Sequence, residues 1–404
     1  MRDAVARAGV GAVLGRVRAG RIDVVEGSRE RSYGPEDADL RATIAINDPA
    51  AWRGPLRGSV GLGETYVDGL WETDDLVTLV RIAARELRGM DGLRGAIARP
   101  RGLWHRARRL VPENTRPAAR RNISAHYDLG NDLFAAFLDE RMMYSCAYFP
   151  DAAASLEQAQ IAKLDRICER LRLGPENHLL EIGTGWGGMA IHAARRSGCR
   201  VTTTTISREQ YELARRRVRD AGLSDQVTVL LQDYRDLEGR FDRLVSVEMI
   251  EAVGWQYFDE YFRRCDQLLA DDGLMLLQAI TIDDRIYEVE KAAKSFANTH
   301  VFPGGCLPSR GLIAGCLDRV TSMKQVWIDD ITPHYPPTLA AWRERFFAAW
   351  ERLRDRGYDE RFKRLWDFYL SSSEAGFRER RIGDVQALFA KPRARDVSEQ
   401  KGSI

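Results

Sequence analysis

The sequence predicts an α/β protein: an open Rossmann-like sheet preceded by a smaller α+β domain. Three observations predict it. Short apolar runs alternate with helical patterns from about residue 155 to 280, as strand–helix repeats require. One run, LLEIGTGWGGMA (179–190), ends in an acid and opens into glycines, which let a backbone turn sharply and approach a ligand. Residues 21–94 lack that rhythm and mix strand-like alternation with one amphipathic helical stretch.

Taken in order, MRDAVARAGVGAVLGRV reads as a helix of the mature protein, because arginines interrupt it and no apolar core leads to a cleavage site. Residues 22–25 and 43–46 alternate as strands, the stretch 58–76 reads as glycine turns around Tyr66, Leu70 and Trp71, and 76–87 as a helix. This domain, residues 1–94, carries no obvious catalytic set, so binding or positioning of a lipid is its expected task. Residues 95–121 hold eight arginines against one acid, Glu113, interleaved with Leu103, Trp104, Leu110 and Val111. That pattern suits a solvated basic linker or an anionic lipid surface. Residues 122–149 are rich in polar and aromatic side chains, with His126, Tyr127 and Asp128, and Tyr144, Ser145 and Cys146, at turns around a helix over 132–138. A capping histidine and a small buried cysteine are the plain readings of His126 and Cys146.

A helix over 155–173, with Leu156, Ile161, Leu164, Ile167, Cys168 and Leu171 on one face, leads into the glycine motif. Strands follow at 200–206, 226–231, 241–247 and 273–280, with helices at about 188–196 and 208–221. Ligands bind such sheets at the carboxyl ends of the strands, where Glu181, Asp233, Glu248, Glu251 and Gln278 can converge. The glycine spacing alone also fits a dinucleotide fingerprint. Glu181 favours S-adenosylmethionine over NAD, since a carboxylate there meets an ammonium group but repels a pyrophosphate. The second strand ends in TTTTISREQ without the acid that usually holds ribose hydroxyls, leaving Thr205, Ser207, Glu209 or Gln210 to serve.

At 404 residues the chain exceeds one ordinary core, and 44% hydrophobic with 30% charged residues is usual for a globular protein. A net charge of +2 does not indicate nucleic acid, and no apolar run approaches the roughly 20 residues of a membrane span. Cys146, Cys168, Cys199, Cys265, Cys306 and Cys316 form no CxxC pair, which suggests reduced thiols in the cytoplasm and no zinc site.

The motifs together resemble the cyclopropane-fatty-acid-phospholipid synthase family, which includes the mycolic acid cyclopropane synthases. The resemblance runs through HYDLGNDLF (126–134), YSCAYF (144–149), EIGTGWGG (181–188), TISREQ (205–210), LLQDYRDL (230–237), EAVG (251–254), FPGGCLPS (302–309), HYPPTLAAWRERF (334–346) and ERFKRLWDFYL (360–370). It extends more loosely to GLGETYVDGLWETDDL in the N-terminal domain, as in the longer members that act on phospholipids.

The resemblance implies a class I methyltransferase catalytic domain over residues 122–390, and the polar composition of KPRARDVSEQKGSI (391–404) reads as a disordered tail. It implies methylene transfer from S-adenosylmethionine to a cis double bond of a phospholipid acyl chain, giving a cyclopropane through a carbocation deprotonated by bound bicarbonate. Bicarbonate would be held by Glu251, Tyr335, Gln278 and the backbone around Cys146 and Ile280, and many members have histidine in place of Gln278. Cofactor contacts would come from Tyr127, Tyr144, Ser145, Glu181, Gly183, Gly185, Thr205, Gln210, Gln232 and Asp233, and no metal is implied. The segment between Thr281 and Phe302 would cover the acyl pocket. A homodimer at the inner face of the membrane is the implied setting, with no nucleic-acid partner. Alternatives are a C-methyltransferase making methylene-branched chains, a cofactor- or lipid-binding protein without catalysis, and a methyltransferase for a small soluble acceptor.

Overall fold

The computed structural model describes residues 2–89 and 129–394, which form two compact units. One unit holds the N-terminal elements together with Glu288–Val301 and Leu339–Ile382. The other holds residues 129–287, Phe302–Thr338 and 383–394. The segments 288–301 and 339–382, expected in the catalytic domain, thus group with the N-terminal elements.

The first unit begins with α1 (Arg2–Leu14), β1 (Arg21–Glu26), β2 (Arg29–Tyr33) and β3 (Arg41–Ile46), then α2 (Gly58–Val67), β4 (Trp71–Thr73) and α3 (Leu76–Gly89). Its sheet has the order β2-β1-β3-β4, with β1 and β3 parallel. Residues 58–67 are helical, against the expectation of glycine turns. Their glycines serve close approach: a Cβ on Gly63 would lie 2.2 Å from the ring of Phe296.

The second unit runs α4 (Asn131–Phe137), α5 (Leu156–Arg170), β5 (His178–Ile182), α6 (Gly188–Ser197), β6 (Arg200–Thr205), α7 (Arg208–Asp220), β7 (Val227–Leu231), β8 (Phe241–Val247), α8 (Phe258–Leu268) and β9 (Leu269–Ile282). After α9 (Asp284–Glu290) come α10 (Arg310–Val320), β10 (Lys324–Asp330) and α11 (Tyr335–Ala348), whose first turn belongs here. Two helices, α12 (Trp350–Arg354) and α13 (Glu360–Arg378), then lead to the last strand, β11 (Ile382–Ala390). The sheet order is β10-β11-β9-β8-β5-β6-β7. Strands β5 to β9 pair in parallel and β11 runs antiparallel to β10. This is the class I methyltransferase arrangement that the sequence predicts.

Successive strand residues face opposite sides of the sheet, and the core divides accordingly. Leu180, Leu244 and Leu277 pack in one cluster, while Leu179, Val245 and Leu276 pack in the other. Helix α5 starts at a reciprocal capping box between Ser155 and Gln158 and turns Gln160 and Lys163, both fully buried, inward. Helix α6 is bounded by left-handed glycines, Gly187 and Gly198. The chain end expected to be disordered from Lys391 is ordered at that residue, where the Lys391 ammonium donates to Asp266 Oδ1 at 3.0 Å; residues 395–404 lie outside the described residues. Among the described residues no helix is long and apolar enough to cross a membrane.

Candidate active site

The carboxyl end of β5 delivers Glu181 and the glycine loop. Gly183 and Gly185 adopt φ of 106° and 51°, conformations that L side chains rarely take, and a Cβ on Gly185 would meet nothing within 4 Å. The loop is braced beneath by the Thr203 hydroxyl, which donates to Thr184 Oγ1 at 2.7 Å. Glu181 is buried, and its Oε2 has no hydrogen-bond partner. Burial pushes its carboxyl up to about 8, and a hydrogen bond with Thr203 offsets only part of that. A sealed carboxylate oxygen without a donor fits a cationic ligand, so these residues fit the ammonium end of S-adenosylmethionine. At the end of β6, Thr205 donates its hydroxyl to Gln210 Oε1 at 2.8 Å, which leaves the Gln210 amide nitrogen as a donor.

A second group lies at the ends of β8 and β9. The Glu248 carboxylate accepts the Cys146 N–H at 2.8 Å and the Gln278 Nε2–H at 2.8 Å on Oε1, and the Tyr335 hydroxyl at 2.6 Å on Oε2. The last distance is that of a charge-assisted O–H···O⁻ bond. Gln278 is aimed from behind: its Oε1 accepts from Gln386 Nε2 at 3.0 Å, and Gln386 Oε1 accepts from Arg166 Nε at 2.9 Å. Glu251 Oε1 accepts the Ile280 N–H at 2.5 Å, while its Oε2 is sealed from solvent without a partner. Burial, reinforced by the Glu248 charge, pushes the Glu251 carboxyl up to about 8. Asp384 on β11 is fully buried 3.3 Å from Gln278 Nε2, and burial beside Glu248 raises it well above the ordinary aspartate value. Lys163 is the buried cation of the cluster; burial lowers its pKa, opposed mainly by the charge of Glu248, and its ammonium donates to Ser145 Oγ at 2.6 Å.

The family profile described as "Mycolic acid cyclopropane synthetase" matches residues 114–387. The chain belongs to that family. It is 40% identical over 356 residues to the tuberculostearic acid methyltransferase UfaA1 of Mycobacterium tuberculosis, covering 84% of this chain and 82% of that one. It is also 40% identical over 358 residues to the cyclopropane-fatty-acyl-phospholipid synthase of Escherichia coli K12, covering 87% and 88%. Among solved structures, mycolic acid cyclopropane synthase CmaA1 complexed with SAH and CTAB superposes with a TM-score of 0.63 at 30% identity, over 67% of this chain and 98% of that one.

Against this cyclopropane synthetase family the expected site residues divide. Glu248, Glu251, Gln278, Tyr335 and the backbone of Cys146 and Ile280 come together at the ends of β8 and β9, and Glu181 stands at the end of β5. Asp233 is held by Arg235 through two contacts, 2.8 Å on Oδ1 and 2.7 Å on Oδ2, so its carboxylate is engaged within its own loop. Gln232 donates to the Asp236 carbonyl, and the Ser145 hydroxyl faces Lys163. Tyr144 sits among Phe134, Phe137 and Phe302. His126 and Tyr127 lie outside the described residues. The Cys146 thiol is buried and its pKa raised by burial, so the main-chain N–H is its contribution to the site. Of the donors expected around bicarbonate, the Cys146 N–H, the Gln278 amide and the Tyr335 hydroxyl end on Glu248, and the Ile280 N–H ends on Glu251. Lys163, Gln386 and Asp384 were not expected; polar residues on the inward face of α5 and along the otherwise apolar β11 are their signal in the sequence.

Proposed function

We propose that the protein transfers a one-carbon unit from S-adenosylmethionine to the cis double bond of a phospholipid acyl chain, giving a cyclopropane fatty acid. The observation that carries this reading is the buried carboxylate group around Glu248 at the strand ends. An amine or hydroxyl acceptor brings its own removable proton. An alkene does not, and its methylation leaves a cation that must lose a proton from carbon, so the site needs a base screened from water.

Bound S-adenosylmethionine supplies the electrophilic methyl group. Glu181 holds its ammonium end, the backbone at Gly183 and Gly185 allows close approach, and Gln210 supplies an amide donor. The Glu248 group handles the proton. The first unit and the arginine-rich residues 95–121 serve to bring the lipid to this site at a membrane surface.

A second reading is supported by the equal identity to the tuberculostearic acid methyltransferase: the same transfer, followed by a hydride shift before the proton is lost, gives a methylene-branched chain. Mass spectrometry of acyl chains after incubation with S-adenosylmethionine and oleoyl phospholipid vesicles tests both. A gain of one methylene with loss of the alkene is the expected result. The same gain with an alkene retained favours the branched product, and no gain contradicts transfer to lipid.

A further inference from the structure

We propose that Glu248 is the built-in proton acceptor of this reaction and fills the anion seat that the resemblance assigns to bicarbonate. The inference rests on the proposed function and deepens it.

The seat is defined by its donors. The Cys146 N–H, the Gln278 amide and the Tyr335 hydroxyl all end on the Glu248 carboxylate, at 2.8, 2.8 and 2.6 Å. The Ile280 N–H, a further donor expected for bicarbonate, ends on Glu251 Oε1. An added anion would find these donors engaged and would face a carboxylate already present at close range. The residues therefore do not fit bicarbonate as an additional ligand.

The backbone is an independent observation. Glu248 has φ +46°, a left-handed conformation that glycine adopts freely and glutamate rarely. Its N–H donates to the Gln278 carbonyl at 2.8 Å, which fixes the turn straight after β8. Backbone strain of this kind persists where surrounding structure enforces it and concentrates at functional positions. Here it points the carboxylate at the Cys146, Gln278 and Tyr335 donors, which a glycine would leave without this acceptor.

The neighbours determine which acid acts as the anion. The Glu248 carboxylate collects three donors, whereas Glu251 accepts the Ile280 N–H on Oε1 and has none on Oε2, and burial raises both Glu251, to about 8, and Asp384, with the buried Lys163 nearby. The order from Arg166 through Gln386 to Gln278 holds the amide so that it donates to Glu248.

The step balances without a further reactant. The alkene π pair forms the bond to the methyl carbon as the C–S bond electrons leave with the thioether, and the neighbouring chain carbon becomes cationic. Glu248 takes one proton from the new methyl group, and the electron pair of that C–H bond closes the ring. If a hydride first shifts from the methyl-bearing carbon to its cationic neighbour, loss of a proton from the same methyl group gives the methylene-branched alkene instead, the C–H electron pair becoming the new π bond. The resulting carboxylic acid returns its proton to water when the product leaves.

The test compares wild type, Glu248→Gln and Glu248→Gly on dioleoyl phosphatidylethanolamine and phosphatidylglycerol vesicles, in carbon-dioxide-free buffer with and without added bicarbonate or formate. Wild-type turnover is expected to be the same in all buffers. Glu248→Gln is expected to lose about a hundredfold or more in turnover while still binding S-adenosylmethionine. Glu248→Gly relieves the backbone and opens the seat, so its turnover is expected to be lost without small anions and to recover severalfold when they are added. Recovery by a small anion is a readout that a merely structural role would not move, and the near-isosteric Gln variant decides the matter if the Gly variant does not fold. Bicarbonate-dependent turnover by the wild type, or undiminished turnover by Glu248→Gln, overturns the inference alone. No mass gain by the wild type in any buffer removes the transfer reading and the inference with it.

Discussion

Two sets of acids, one in each unit, hold buried charge in opposite ways. In the first, Asp367 accepts from Arg343 Nε at 2.6 Å and from the Tyr66 hydroxyl at 2.7 Å, and Glu379 accepts from Arg81 and Arg85 at 2.7 Å each. Each carboxylate oxygen named there has a donor, which is how buried charge is tolerated in a framework. In the second unit, Glu181 Oε2, Glu251 Oε2 and Asp384 Oδ1 are buried without hydrogen-bond partners, and three acids share the neighbourhood of one lysine. Such an arrangement is costly in a resting protein and reasonable where a ligand or a transferred proton completes it.

Two substitutions bear on that contrast. The larger effect is expected from Lys163→Met, which removes the buried countercharge of the acid group and the donor to Ser145 Oγ. A loss of about 3 kcal/mol of stability is expected, read from the denaturant midpoint at unchanged slope. Stability within about 0.5 kcal/mol of wild type would mean that the acids are not held against a lysine charge. Asp367→Asn in the first unit keeps an oxygen acceptor but loses the ion pair with Arg343, whose side chain is partly exposed. A smaller loss, about 1–2 kcal/mol, is expected, with affinity for S-adenosylmethionine unchanged. A weakened cofactor affinity would contradict its assignment as framework charge.

Much of the catalytic sheet was legible in the sequence. Strands β5 to β8 lie within a residue or so of where apolar runs end in polar residues, because parallel strands buried on both faces leave little freedom in composition. Strand β9 begins at Leu269, earlier than expected, because α8 passes directly into it through a polar stretch containing Asp271 and Asp272. Helix α2 was misread because glycines that permit contact between elements look the same in sequence as glycines that permit turns. The convergence of Glu248, Glu251 and Gln278 was visible as strand-end chemistry. The role of Glu248 was not, since the capture of three donors by one carboxylate depends on a positive φ that sequence spacing does not reveal. Asp384 and Gln386 were missed with β11 itself, whose pairing partners lie far away along the chain.

The most direct test of the difference between framework and working charge is the proton balance of cofactor binding. In the unliganded protein the Glu181 carboxyl holds its proton up to about 8, against an ordinary value of 4.5. The folded form therefore binds more protons than the unfolded form within that window, and this group lowers stability as the pH rises through it. An ammonium group placed beside Glu181 favours its ionised form, so binding expels the proton. Calorimetry of S-adenosylmethionine binding in buffers of different ionisation enthalpy should show release of most of one proton per site at pH 7, with affinity rising from pH 6 to about 7 and falling again once the ligand's own ammonium loses its proton at about 8. Glu181→Gln should abolish the release. Binding without proton release, at an affinity independent of pH from about 6 to 7, would contradict the assignment of Glu181 as the unpaired acid awaiting a cation.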